Sequence, residues 1–404
     1  MNILSRNPTQ RTVYAILFTV SIGHFLNDML QAIIPAAYPL LKEEHGLSYG
    51  QIGFITLVYQ IAASVFQPLV GNYTDKHPHP YSQISGMAFT FFGVLLLGFA
   101  WSYTSILTAV FLVGIGSSIF HPESSRIAFL ASGGRRSLAQ SIFQIGGSMG
   151  TAIAPLLVVM IVLPYGQRNL IYFAAFALLA KGVFIYVGQW YAQMLSRKKK
   201  NKNKEVVFIP QLSEKRRWMA IGILLILIIS KYFYTASIGN YFHFYTMHKF
   251  GLSENQAQVY LFYFLISVAV GTLLGGFFGD KFGRKYVIVF SVLGAAPFAL
   301  ALPYVNVEAT AVLIVCVGLI LSSAFPAILV YAQELLPKNL GMVSGFFYGF
   351  AFAMGGIGSA LLGWRADHTS IEYIYFLCSF LPLFGVFAIF LPDLRKVKKN
   401  EFIK

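Results

Sequence analysis

Gly276-Phe277-Phe278-Gly279-Asp280-Lys281-Phe282-Gly283-Arg284-Lys285 has a partner 205 residues earlier, Gly71-Asn72-Tyr73-Thr74-Asp75-Lys76, which keeps the glycine, the acid and the base. The same insertion-free offset pairs Gly46-Leu47-Ser48 with Gly251-Leu252-Ser253, Gln51 with Gln256, Ser117-Ser118 with Ser322-Ser323, and Phe120 with Phe325. A collinear set of this kind, spread over roughly seventy residues, marks a half-protein duplicated in tandem. In an apolar chain, duplicated halves point to a transporter whose substrate site lies between them.

Hydrophobic residues make up 57% of the 404 residues and charged residues 11%, against roughly 25% charged in soluble domains. A soluble fold is excluded. Membrane spans need about 20 mostly apolar residues each, and twelve such stretches are expected, near 12–34, 51–71, 83–103, 105–129, 138–163, 169–190, 218–244, 256–278, 286–305, 309–335, 341–363 and 371–391. Six fall in each half, so the expected fold is an all-α integral membrane protein of two pseudo-symmetric six-helix bundles. The first span is too long, and too polar at His24, Asn27 and Asp28, for a cleaved signal peptide. Cys316 and Cys378 lie inside spans, without metal-ligand spacing, and read as packing residues.

The net charge of +15 needs no nucleic-acid partner once its location is considered. With both termini cytoplasmic, 24 of the 30 Lys and Arg face the cytoplasm. Lys42, Arg168, Lys249 and Arg365 lie opposite, and Lys181 and Lys231 are embedded. This is the positive-inside pattern and gives an N-in, C-in orientation. Nine of the cations sit in 193–217, a basic linker between an N-terminal bundle, 1–192, and a C-terminal bundle, 218–404. The linker is suited to lie on anionic lipid, and a regulatory role for it stays open.

The stretch Gly276 to Lys285 carries the G-x-x-x-D-x-x-G-R-K loop signature of the major facilitator superfamily, in the cytoplasmic loop where that family places it. Its first-half counterpart continues His77-Pro78-His79-Pro80 in place of Gly-Arg-Lys. The resemblance implies that Gly71, Asp75 and Lys76, with Gly276, Asp280, Gly283, Arg284 and Lys285, help lock the cytoplasmic face. In span 5, Gly146-Gly147-Ser148-Met149-Gly150 followed by Pro155 resembles the antiporter-type motif, with Ala154 where a glycine is usual. Small residues at four-residue spacing also serve close helix approach alone. The arginine that many members carry early in span 4 is absent, since Phe111 stands there.

More specific strings resemble the fosmidomycin resistance family, a branch of that superfamily. They are His24-Phe-Leu-Asn-Asp28, Phe120-His-Pro-Glu-Ser-Ser-Arg126, Ser230-Lys-Tyr-Phe-Tyr234, Gly279-Asp-Lys-Phe-Gly-Arg-Lys-Tyr286 and Tyr331-Ala-Gln-Glu-Leu-Leu-Pro337. The resemblance covers nearly the whole chain. It implies an exporter in a bacterial inner membrane that lowers cytoplasmic fosmidomycin in exchange for protons.

The residues themselves point to transport chemistry. His24, Asn27, Asp28 and Gln31 share one helical face, and a rise of about 1.5 Å per residue places His24 about 18 Å and Asp28 about 24 Å into the membrane. An intramembrane carboxylate is expensive and usually marks a pathway. Asp28 would load and release a proton; alternatively, Asp28 and His24 form a fixed i,i+4 pair. Lys231, about 20 Å into span 7, shares a face with Tyr234. A desolvated ammonium there would attract an anion such as a phosphonate, or pair with Asp28.

In span 4, His121, Glu123 and Arg126 follow the same logic. Arg126 could receive an entering phosphonate and Glu123 a second proton, or the two could form a plain salt bridge. Gln60 belongs to a polar stripe with Thr56, Ser64 and Gln67, suited either to a cavity wall or to interhelical hydrogen bonds. Glu334, near the cytoplasmic end of span 10, suits a gate. Substrate contacts are thus expected from Lys231, Arg126, Tyr234, Asn27, Gln31, Gln60 and His121, and proton sites from Asp28, His24 and Glu123.

No phosphate-binding Gly-Lys-Ser/Thr loop occurs, so neither ATP drive nor a cofactor is expected, and no metal ligand set is assigned. The expected partners are a small-molecule substrate, protons and the bilayer, with the chain a monomer. Two other readings stay open. One is a proton-coupled importer of an organic anion or sugar, because fold does not set direction. The other is a membrane-embedded enzyme or sensor, which a nucleophile and base arrangement or a soluble domain would have favoured.

Overall fold

A computed structural model describes residues 12–47, 49–162, 164–200 and 212–395. The chain folds as two compact units, one of residues 1–207 with 338–349 and the other of 208–337 with 350–404. The first unit contains α1 (Tyr14–Ala36), α2 (Tyr38–His45), α3 (Tyr49–Lys76), α4 (Ser82–Gly98), α5 (Tyr103–Ala131), α6 (Arg136–Ile161) and α7 (Ala174–Lys200). The second contains α8 (Glu214–Phe250), α9 (Glu254–Phe282), α10 (Arg284–Leu293), α11 (Ala296–Ala301), α12 (Val307–Ser322) and α13 (Ala324–Leu335). It also holds most of α14 (Leu340–His368), then α15 (Ile371–Ser379) and a 3₁₀ segment, Leu381–Phe390.

Among the described residues, eleven helical segments are long and apolar enough to cross a membrane. The twelfth expected span is α4, which is apolar but only 17 residues long. At about 1.5 Å per residue it reaches about 25 Å, slightly short of a hydrocarbon core of about 30 Å. The molecule is a multi-pass membrane protein, and its many exposed Phe, Leu and Ile side chains are those that meet lipid.

The duplication is visible in the backbone. Gly46 and Gly251, equivalent across the offset, both end helices with positive φ, 60° and 65°. That left-handed conformation costs glycine nothing, having no Cβ to clash. The halves differ in where their helices break. In the first, a helix pauses at Ala37, between Pro35 and Pro39, whereas its second-half equivalent, α8, is continuous for 37 residues. Conversely, α5 runs unbroken through Pro122, while the second half breaks at Ser323, between α12 and α13, shortly before Pro326, whose counterpart across the offset is His121. Proline cannot donate to the carbonyl four residues back, so it weakens a helix at one point without dictating that it must break.

Within the first unit α1 packs on α6, and α5 on α3 and α4. In the second, Tyr234, Ile238, Phe242, Tyr245, Tyr375 and Cys378 form the centre of a hydrophobic core. Both cysteines are free thiols.

Candidate functional site

The glycines of α6 set up the first site. A Cβ on Gly146 would strike the carbonyl of Ser21, one on Gly150 the carbonyl of Phe25, and one on Gly147 the side chains of His24 and Asp28. Because all three lack a Cβ, α6 lies directly on the polar face of α1; Pro155 lies further along α6. This is the close helix approach expected of small residues at four-residue spacing.

On that face, His24 Nε2 lies 3.1 Å from Asp28 Oδ2, and His121 Nε2, from α5, lies 3.5 Å from Oδ1. The amides of Asn27 and Gln31 donate to Oδ1 at 2.9 and 3.4 Å. Both imidazoles are oriented from behind. His24 Nδ1 is 2.8 Å from the Phe143 carbonyl and His121 Nδ1 is 3.1 Å from that of Ser117. A carbonyl only accepts, so His24 carries its hydrogen on Nδ1; His121 Nδ1, also 3.2 Å from Ser117 Oγ, carries one when that hydroxyl donates to Gln31. Each Nε2 then faces the Asp28 carboxylate, and unless a proton lies between them lone pair opposes lone pair. The histidine side chains are wholly buried and Asp28 is 15% exposed, so the carboxylate is the member of the trio that reaches accessible space.

Sequence reasoning placed His121 with the substrate contacts; the fold brings it to Asp28 instead, across 93 residues of chain where no spacing signal exists. It also missed Ser117 and Tyr59, whose hydroxyls donate to Gln31 Oε1, and Tyr348, whose ring stands 5.3 Å from that of His121. Ser117 carried a signal in its duplication. Gln60 Oε1, Ser64 Oγ and Gln67 Oε1 are buried and make no hydrogen bond to described residues. Their stretch of α3 meets α14 where Gly345 lies on the Gln67 carbonyl and Gly349 on that of Ser64.

A second cluster lies further along α5 and α3. Arg126 Nη2 donates to Glu123 at 2.6 Å, and Nη1 donates to the Thr74 carbonyl at 2.7 Å and approaches Asp75 at 3.4 Å. The Tyr191 ring covers the guanidinium, 5.4 Å away. Asp75 in turn accepts the backbone N–H groups of Gly341 at 2.8 Å and Met342 at 2.9 Å, orphan donors in the first turn of α14. Gly71 has no Cβ to push Gly341 away. These contacts explain why 338–349 packs with the first unit although its place in the sequence assigns it to the second half. Lys76 is exposed.

Asp75→Ala removes both bonds to α14, a loss on the order of 1–3 kcal/mol. A Ser344→Cys thiol, buried beside Ser125, should then react with a water-soluble maleimide about 5- to 150-fold faster, the factor equivalent to that energy. Unchanged labelling would mean that Asp75 does not hold the segment.

In the second unit, Asp280 pairs with Arg284 at 3.1 Å, and Arg284 approaches Glu334 at 3.6 Å. Arg395 donates to the carbonyls of Asp280 and Lys281. Gly283, at φ 106°, makes the turn into α10, and Gly276 is buried in α9. Lys285 lines a small depression with Glu334, Asp393 and Arg395.

Lys231 is only 7% exposed, and its Nζ stands 5.3 Å from the ring centroids of Tyr232 and Phe325. It has no ion pair or hydrogen bond among the described residues. Tyr234, expected beside it on a cavity wall, is instead 2% exposed in the hydrophobic core against Ile238, Phe242 and Tyr245. Helical phase brought the two residues to neighbouring positions, but the larger ring went where apolar area could be buried.

The sequence profile of the Major Facilitator Superfamily matches residues 20–247 and 224–402. The fosmidomycin resistance protein of Escherichia coli K12 is 55% identical over 385 residues, covering 95% of this chain and 94% of that protein. An uncharacterised MFS-type transporter of Bacillus subtilis 168 is 41% identical over 96% of this chain and 95% of its own. Among solved structures, the transporter FucP in its outward conformation superposes with a TM-score of 0.73 at 16% identity, over 95% of this chain and 99% of that one. The human organic anion transporter MFSD10 gives a TM-score of 0.72 at 15% identity, over 96% of this chain and all of that one. By profile, by close relatives and by fold, this chain belongs to the major facilitator superfamily of membrane transporters, in its fosmidomycin-resistance branch.

Proposed function

We propose that this transporter exports small anionic drugs of the fosmidomycin type in exchange for inward-moving protons, as a monomer in a bacterial inner membrane with both termini cytoplasmic. The observation that carries the coupling is the Asp28 carboxylate faced by two imidazoles whose Nδ1 hydrogens are already committed to carbonyls. Such a cluster holds a proton in one state and, on releasing it, must rearrange to relieve opposed lone pairs. The E. coli relative named for fosmidomycin resistance supports the substrate class and the direction. Lys231 supplies the cation for the anion: a buried ammonium beside the faces of Tyr232 and Phe325 gains strongly from a phosphonate oxygen.

The cycle follows from these parts. Substrate neutralises Lys231, a proton neutralises Asp28, and exchange of one for the other lets the transporter turn over. The Glu123–Arg126–Asp75 chain ties α5 to the start of α14, so a second proton on Glu123 would loosen the hold on that segment. Lys231→Ala should abolish fosmidomycin resistance in an efflux-deficient host at normal membrane levels, and a proton uncoupler should do the same to the unmodified protein. Resistance that survives the uncoupler would remove proton coupling from the proposal; resistance that survives Lys231→Ala would remove the anion site.

A further inference from the structure

Sequence reasoning assigned no metal ligands, yet the fold gathers His24, Asp28 and His121 so that one ligand atom from each lies within 4.8 Å of the others. We propose that this trio is a binding site for a divalent transition-metal ion such as Zn²⁺ or Co²⁺. Zinc bonds to imidazole nitrogen and carboxylate oxygen are about 2.0–2.2 Å, so donors on a tetrahedral edge stand about 3.3–3.6 Å apart. The 3.5 Å from His121 Nε2 to Asp28 Oδ1 falls within that range and the 3.1 Å from His24 Nε2 to Oδ2 slightly below it, so small side-chain adjustments bring each ring to bonding distance of an ion held by the carboxylate.

The support behind the ligands is of the kind metal sites use. Each imidazole gives its Nδ1 hydrogen to a backbone carbonyl, Phe143 for His24 and Ser117 for His121, which turns both Nε2 lone pairs inward. The Asn27 and Gln31 amides hold Oδ1, leaving Oδ2 toward His24. Phe143, stacked on His24 at 4.1 Å, and Phe120, at 5.5 Å, form an apolar shell. Gly147 leaves open the volume that any side chain would fill. Two neutral imidazoles and one carboxylate carry a single negative charge, which a divalent cation more than balances. The ion would tie α1 to α5 and so stall any cycle that separates them, making it an inhibitor of transport. The site does not depend on which cargo is exported.

The test is direct binding of Co²⁺ alone to the full-length protein, purified in detergent with no polyhistidine tag, by equilibrium dialysis. One Co²⁺ per chain is expected, with affinity falling about 100-fold in His24→Gln and in His121→Gln and unchanged in His248→Gln, an exposed histidine paired with Glu372. Should one histidine variant fail to fold, the other carries the test, with melting in the absence of metal as the fold check. Wild-type protein that binds no Co²⁺, or binds it as well as His24→Gln or His121→Gln does, would overturn the site. Neither result bears on fosmidomycin susceptibility, so the proposal and the transport reading stand or fall separately.

Discussion

Asp28→Asn should leave fosmidomycin exchange intact while abolishing uphill, pH-driven accumulation in proteoliposomes. Asparagine copies the shape of a protonated aspartate and still accepts the Asn27 and Gln31 amides at its oxygen. It also turns an amide N–H toward His24 Nε2 in place of a carboxylate oxygen. It cannot gain or lose a proton, so the link between proton movement and the direction of transport is cut. Coupling energies between sites run at about 1–3 kcal/mol, so resistance in cells should fall about 10-fold or more. Counterflow, which needs no net proton movement, should persist. Accumulation driven by a pH gradient at the wild-type rate would show that the proton travels elsewhere.

Gly147→Ala should destroy transport and lower thermal stability together. A single methyl group at this position lies on top of His24 Nε2 and Asp28 Oδ2, so either α6 retreats from α1 or both side chains leave their hydrogen-bonding geometry. Overpacking of this sort costs about 1–3 kcal/mol even where neighbours are apolar. Here the neighbours are a buried polar pair that loses its partners as well. The internal control is Gly182→Ala on α7, where an added Cβ meets nothing within 4 Å. That change should be neutral or slightly stabilising, since alanine is a better helix former than glycine by about 1 kcal/mol. Melting of the solubilised proteins checks both; equal melting of the two variants would mean that Gly147 is not held against α1.

The spans and the duplication were legible because hydrophobicity along a helix is local, and because the duplicated glycines Gly46 and Gly251 do the same backbone work in both copies. The polar face of α1 was legible for the same reason: residues three and four apart must share a side. What could not be read is what meets that face. His121 arrives from 93 residues away, through the packing of α5, and the break at Ser323 could not be told from the unbroken turn at Pro122. Tyr234 was misplaced because helical phase says which residues are neighbours, not which of them the core will take.

Arg126 and Arg284 answer the same need from different places. After α9 the cation that meets the aspartate comes from the loop itself, whereas after α3 the loop runs His77-Pro78-His79-Pro80 and the cation comes from α5. With a helix supplying the cation, residues 77–80 need carry none for the aspartate. The two copies of one ancestral segment thus have different points of failure: a change at Arg284, within the motif itself, removes the cation paired with Asp280, whereas the cation facing Asp75 is lost through a change 51 residues away, on α5.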